Sequence, residues 1–217
     1  MNFPHAAKGI SKIFTAEILQ LISLVTGVIA LVMGIVSAGT LQNAATAAAG
    51  VSGIIFIIFA AATGVLSIIY LIFMIIGTIQ CAKDEASFKM IIYLTIVNVV
   101  IALVAAIFPG NYFLASLAAT TSDVVSFVCS LLVILGVGSM AAQLGNEELM
   151  ERCSRIFKII LAIGVMSLLA RFFMLFWGSV FAQALVFSLA VLSIFLGFFQ
   201  YFLYISMLAK AKKMLNE

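Results

Sequence analysis

Few residues of this chain have the chemistry to do more than pack. In 217 residues there is one histidine, His5, and there are three cysteines, Cys81, Cys129 and Cys153. Gly136-Val137-Gly138-Ser139 has the look of a serine-nucleophile turn, but no histidine lies in any apolar run to act as its base. Paired intramembrane aspartates, a phosphate loop and a dinucleotide fingerprint are also missing from the sequence. Cys81, Cys153 and His5 lack metal-ligand spacing. The expectation is a protein that is not an enzyme, with no cofactor and no metal.

Position, rather than residue type, singles out five polar groups. Arg171 lies inside an apolar run, where a cation costs on the order of 2.5–3.5 kcal/mol unless it snorkels or pairs. It stands about six residues from the end of that run, roughly 9 Å deep. Asp123, at the outer start of the fourth run, is the acidic residue available on that side, so an Arg171–Asp123 pair is one reading and an anionic-solute or gating role the other. Glu17 sits about one turn inside an apolar run. It is read either as an anchor pairing with Lys12 or as a proton or cation site. Gln20 and Asn98 complete the set, as interhelical hydrogen-bonding groups or as the lining of a solute path.

The elements that hold these groups follow from composition. Hydrophobic residues make up 65% of the chain, charged residues 9%, and the mean hydropathy is +1.33. A soluble domain carries about 25% charged residues, so this chain cannot cover a water-facing surface. Lipid must be its solvent. About 20 apolar residues cross a bilayer core roughly 30 Å thick. Six runs qualify, at 13–38, 51–81, 89–108, 123–144, 158–177 and 181–210. They predict an all-α, six-helix polytopic membrane bundle forming a single integral membrane domain over 1–217. The first run is too long for a signal peptide and reads as a retained span.

Local chemistry sets the expected boundaries. Pro109-Gly110-Asn111 ends the third span, Thr120-Thr121-Ser122-Asp123 caps the fourth, and Gly145-Asn146 stops it. The fifth and sixth meet at Gly178-Ser179. Ten of the eleven Lys and Arg residues fall on one side of that plan: Lys8 and Lys12, Lys83 and Lys89, Arg152, Arg155 and Lys158, then Lys210, Lys212 and Lys213. The connections about 39–50, 109–122 and 178–180 carry none. The positive-inside rule then places both termini in the cytoplasm, with the chain in the cell membrane. No polybasic run of the nucleic-acid type appears, and the lipid bilayer is the expected partner.

Small and polar residues recur at three- and four-residue steps along each run. Ala30, Gly34 and Ala38 form one such series, Ala60 and Gly64 another, Ser193 and Gly197 a third. Lipid gives no hydrophobic drive for helix association, so faces that let backbones approach are expected to pack, within the chain, against a partner protein or against a second copy. The six runs also suggest three related hairpins. Two function classes fit. One is small-solute transport, or the solute-binding membrane subunit of a transport complex. Six helices, minimal loops and cytoplasmic termini resemble, in size and topology, the substrate-binding subunits of vitamin-uptake systems, though no binding motif matches. The other is a non-enzymatic accessory or scaffold protein. Convergence of Glu17, Gln20, Asn98 and Arg171 on a hollow would favour the first, and small-residue faces left open would favour the second.

Overall fold

Runs this apolar leave their backbone amides without water, so each must find a carbonyl along its own helix. The computed structural model describes residues 3–42, 46–108, 110–174 and 180–216. Among these, every element is helical: α1 (Pro4–Gln42), α2 (Thr46–Asp84), α3 (Ala86–Ile107), α4 (Tyr112–Gln143), α5 (Glu147–Met174) and α6 (Val180–Asn216). The all-α class is the one expected. Five of these helices, all but α5, are long and apolar enough among the described residues to cross a membrane. The protein is a membrane protein in contact with lipid. The expected fifth span, 158–177, ends outside the described residues, as does the Gly178-Ser179 junction.

The helices run past the expected spans wherever the chain has a way to continue them. α1 and α2 have 39 residues each and α6 has 37. At 1.5 Å per residue they reach roughly 55–58 Å, well beyond a 30 Å hydrocarbon core. α5 starts at Glu147, not near 158. Glu147 and Glu148 in its first turn oppose the positive end of the helix dipole, and Glu148–Arg152 and Glu151–Arg155 pair one turn apart.

One boundary is corrected. α4 begins at Tyr112, eleven residues before the expected start at Asp123. Gly110 takes the left-handed φ of +97° that lets the chain turn, and the Asn111 side chain accepts from the Leu114 N–H at 3.2 Å. With a capped start already in place, Thr120 to Asp123 continue the helix instead of opening one. The other end matches expectation. Gly145 sits at φ +70°, with Gly145 N–H donating to Ala142 O and Asn146 N–H to Ala141 O, the two bonds of a Schellman stop. Asn146 then accepts from the Leu149 N–H at 3.0 Å and starts α5.

The chain divides into two compact units, residues 1–10 with 78–217, and residues 11–77. The second is an antiparallel hairpin of α1 and α2. Gly53 faces Ser37, Gly34 faces Phe56, Gly27 faces Thr63 and Ser23 meets Ser67. Each step down α1 matches a step up α2. In the first unit α3 packs on α4, α4 on α5 and α5 on α6. The α3/α4 register is also antiparallel, through Glu85 with Ser139, Phe88 with Gly136, Thr95 with Cys129 and Asn98 with Ser122.

The core of the first unit lies at its basic end. Phe88, Ile134, Val137, Met140, Met207 and Leu208 are all fully buried there. α4 is the pivot, with 39% of its most apolar window buried against 6% in α3 and in α6. Apolar side chains toward the other end, such as Leu103, Ile107, Phe187 and Phe195, are exposed, which suits lipid as their surroundings.

Candidate functional site

In the 11–77 hairpin the polar residues of the seam bond to one another. The Ser23 hydroxyl, buried, lies 3.2 Å from that of Ser67 and donates to Thr63 O at 3.4 Å. Thr26 and Thr63 hydroxyls meet at 2.9 Å. Ser67 and Thr63 also donate to carbonyls one turn back, at 2.8 Å each. Glu17 is buried in this unit and Gln20 is exposed. Ser23 and Ser67 lie on the polar stripes of the sequence, whereas Thr26 and Thr63 do not. Threonine hides in such a reading because its methyl suits oil and its hydroxyl can bond its own helix.

The packing glycines divide into two kinds. Ala30 is buried, and Gly34 carries the Phe56 ring, where an added Cβ would lie 3.2 Å from it. Ala38 and Ala60 are exposed. At Gly64 and Gly197 no described residue lies within 4 Å of an added Cβ, and Ser193 is half-buried. The tightest seams fall at two glycines on the small-and-polar faces of the fourth and fifth runs. At Gly136 a Cβ would fall 2.5 Å from the Phe88 ring, and at Gly164 2.6 Å from that of Phe127. The sequence spacing marks both positions, but not that a phenylalanine ring, rather than a second small residue, lies opposite.

In the 1–10 and 78–217 unit, the Asn98 amide donates to the Ser122 hydroxyl at 3.4 Å, an α3–α4 tie. Asp123 is exposed on α4. Arg171 belongs to α5, but its side chain, and with it the Arg171–Asp123 pair, lies outside the described residues. A cleft of about 170 Å³ opens between α4, α5 and α6, lined by Ser126, Phe127, Ser130, Ile160, Ile163 and Gln200. It lies about 14 residues from the start of α4 and about 13 from the start of α5, roughly 20 Å along either helix.

The basic end carries a polar network. The Asp84 carboxylate accepts from the backbone N–H groups of His5 at 2.9 Å and Ala6 at 2.7 Å, so the last residue of α2 caps the first turn of α1. The Cys81 thiol donates to Ala6 O at 3.8 Å. Glu85 accepts from Ser139 at 3.1 Å, and Gln143 donates to Ser139 at 3.3 Å. Lys210 meets Glu148 at 2.5 Å, with Arg152 at 3.3 Å from the same oxygen. Burial pushes the Cys153 thiol up to about 11, so it stays protonated at neutral pH and makes a poor nucleophile. Among the described residues, no three His, Cys, Asp or Glu side chains gather to hold a metal.

The Lys210 hydrogen bond and charge, with lesser help from Arg152, hold the Glu148 carboxyl below the usual carboxylate range. A lowered folded value makes the tie stabilising above the ordinary carboxylate pKa and removes it as pH falls through the lowered one. The carboxylate is solvent-exposed, so the effect is small. Thermal unfolding of Glu148→Gln should therefore fall slightly below the parent at pH 7 and coincide with it in strong acid. A gap that widened on acidification would contradict the assignment.

Comparison with protein-family models, with curated proteins and with solved structures finds no match for this chain.

Proposed function

We propose that this chain is a non-enzymatic accessory or scaffold protein of the cell membrane, crossing it six times with both termini cytoplasmic, that works by packing against other transmembrane helices. One observation carries the reading. Polar groups on the seams are bonded to each other, while the backbone at Gly64 lies bare beside exposed Ala60 and Ala61. A glycine with no described residue of its own unit within 4 Å of an added Cβ gives a second helix the close backbone approach on which association in lipid depends. The ten-to-none division of basic residues supports the orientation.

The test is crosslinking in native membranes, in a cysteine-free background. Gly64→Cys should yield a crosslinked product with a bifunctional maleimide, and Gly27→Cys, which faces Thr63 inside the hairpin, should yield none. The product's mass tells a second copy from a different subunit. No product from Gly64→Cys, with the chain at normal abundance, would overturn the reading.

The cleft of the 78–217 region favours a second reading, that the chain handles a small solute, as a transporter or as the solute-binding membrane subunit of one. Ser126, Ser130 and Gln200 put hydrogen-bonding groups where the helices are otherwise apolar. Ligand-dependent stabilisation of the purified protein, lost in Arg171→Ala or Gln200→Leu, would favour it. Flat unfolding curves across metabolites and ions would count against it.

A further inference from the structure

The α4–α6 cleft sets Ser126, Ser130 and Gln200 beside the apolar side chains of Phe127, Ile160 and Ile163. Ser130 donates its proton to Ser126 O at 2.9 Å, which leaves the lone pairs of its hydroxyl free to accept. The Ser126 hydroxyl and the Gln200 amide make no hydrogen bond to another described residue. Gln200 stands ten residues from Lys210, roughly 15 Å along α6 from the basic end, and Ser126 and Ser130 lie at the middle of α4. Ser126 is exposed and Gln200 half-buried, and on the six-span plan both lie within the apolar layer. An unmet amide or hydroxyl in hydrocarbon is costly, by a few kcal/mol in transfer terms. A ligand that bonds these groups would remove that cost.

The lining defines that occupant. Among the described residues no charged side chain borders the cleft, so a charged ligand would enter without a counter-charge from them. Ser126 and Gln200 both donate and accept, which suits a hydroxyl or an amide rather than a pure acceptor. Phe127, Ile160 and Ile163 offer a ring face and branched aliphatic walls to an apolar body. The volume, about 170 Å³, is of the size that holds a single ring, since an engineered apolar cavity of about 150 Å³ binds benzene.

We propose that this cleft binds a small uncharged amphiphile, with one hydroxyl or amide head held by Gln200 and Ser126 and a ring-sized apolar body against Phe127, Ile160 and Ile163. Such a molecule dissolves in the bilayer and reaches the site sideways between helices. The inference rests on the solute-handling reading for its context and gives that reading a ligand class, but binding and movement are separate measurements.

The test uses the full chain in lipid nanodiscs and two probes of one shape, 4-fluorophenol and 4-fluorotoluene, followed by fluorine NMR. Fluorophenol should bind saturably, be displaced by phenol, and bind at least tenfold more tightly than fluorotoluene, which lacks the head group. Gln200→Leu with Ser126→Ala, both tolerable in oil, should erase that tenfold preference. Equal, non-saturating broadening by both probes in the parent protein would overturn the proposal without any variant. So would an unchanged preference in the double variant. Phenol uptake into proteoliposomes is read separately. Saturable binding without uptake would remove the transport reading alone and leave the site standing.

Discussion

Gly136→Ala should destabilise the protein by about 1–3 kcal/mol, the usual cost of overpacking, and Gly136→Leu should leave little folded protein in detergent. The added Cβ would sit 2.5 Å from the Phe88 ring, 3.1 and 3.2 Å from its next two atoms. A ring at the surface could swing away, but Phe88 is completely buried and has nowhere to go. Gly138, two residues on, faces Cys153 at 3.4 Å, so α4 cannot shift freely toward α5 to make room. The strain falls on the helix that packs against both α3 and α5. The measurement is thermal unfolding by size-exclusion loss, with Gly64→Ala as the comparison. Nothing lies within 4 Å of that position, so Gly64→Ala should be close to neutral or slightly stabilising through helix propensity.

Asp84→Ala should release the first turn of α1, at a cost of about 0.5–2 kcal/mol, as for loss of an N-cap. Two backbone N–H groups would lose a charged acceptor at once, and the helix dipole would lose its counter-charge. The effect should be local. Ala6, Ala7 and Ile10 are buried, so hydrogen exchange and proteolysis should rise over residues 4–10 and stay unchanged in α5. Asp84→Asn keeps an acceptor and should lie between the two. Lys83→Ala, exposed on the same turn, should do little. Uniform loss of protection through all helices would show that Asp84 serves global folding and not this cap.

The helical class and the positions of the runs were legible because lipid imposes one rule, an apolar helix about 20 residues long, on every span. Gly145 as the end of α4 was legible for a similar reason, since a Schellman stop needs a residue that tolerates positive φ. The start of α4 was not. Thr120 to Asp123 have capping side chains, and nothing in their composition shows that Asn111 has already capped the helix. Water-adapted ends such as 147–157 were also invisible to a search for apolar runs, though their Glu and Arg pairs one turn apart mark a helix. Among the site residues, Asn98 was read as an interhelical hydrogen-bonding group or as the lining of a solute path, and its amide donates to Ser122. The Asp84 cap was not readable, because it joins residues 78 and 79 positions apart. Gly34 and Gly64 belong to the same sequence pattern, yet one carries a ring and the other faces open space. Spacing marks a face of a helix but does not say what lies opposite.

Everything proposed here depends on the chain lying across a bilayer with its basic residues on one side. Single cysteines at Lys83 and at Phe113, both exposed and on opposite sides of that plan, test this most directly when introduced into a cysteine-free chain. In intact cells, a membrane-impermeant maleimide should label Phe113→Cys and spare Lys83→Cys until the membrane is opened. Labelling of both positions from outside would contradict the account.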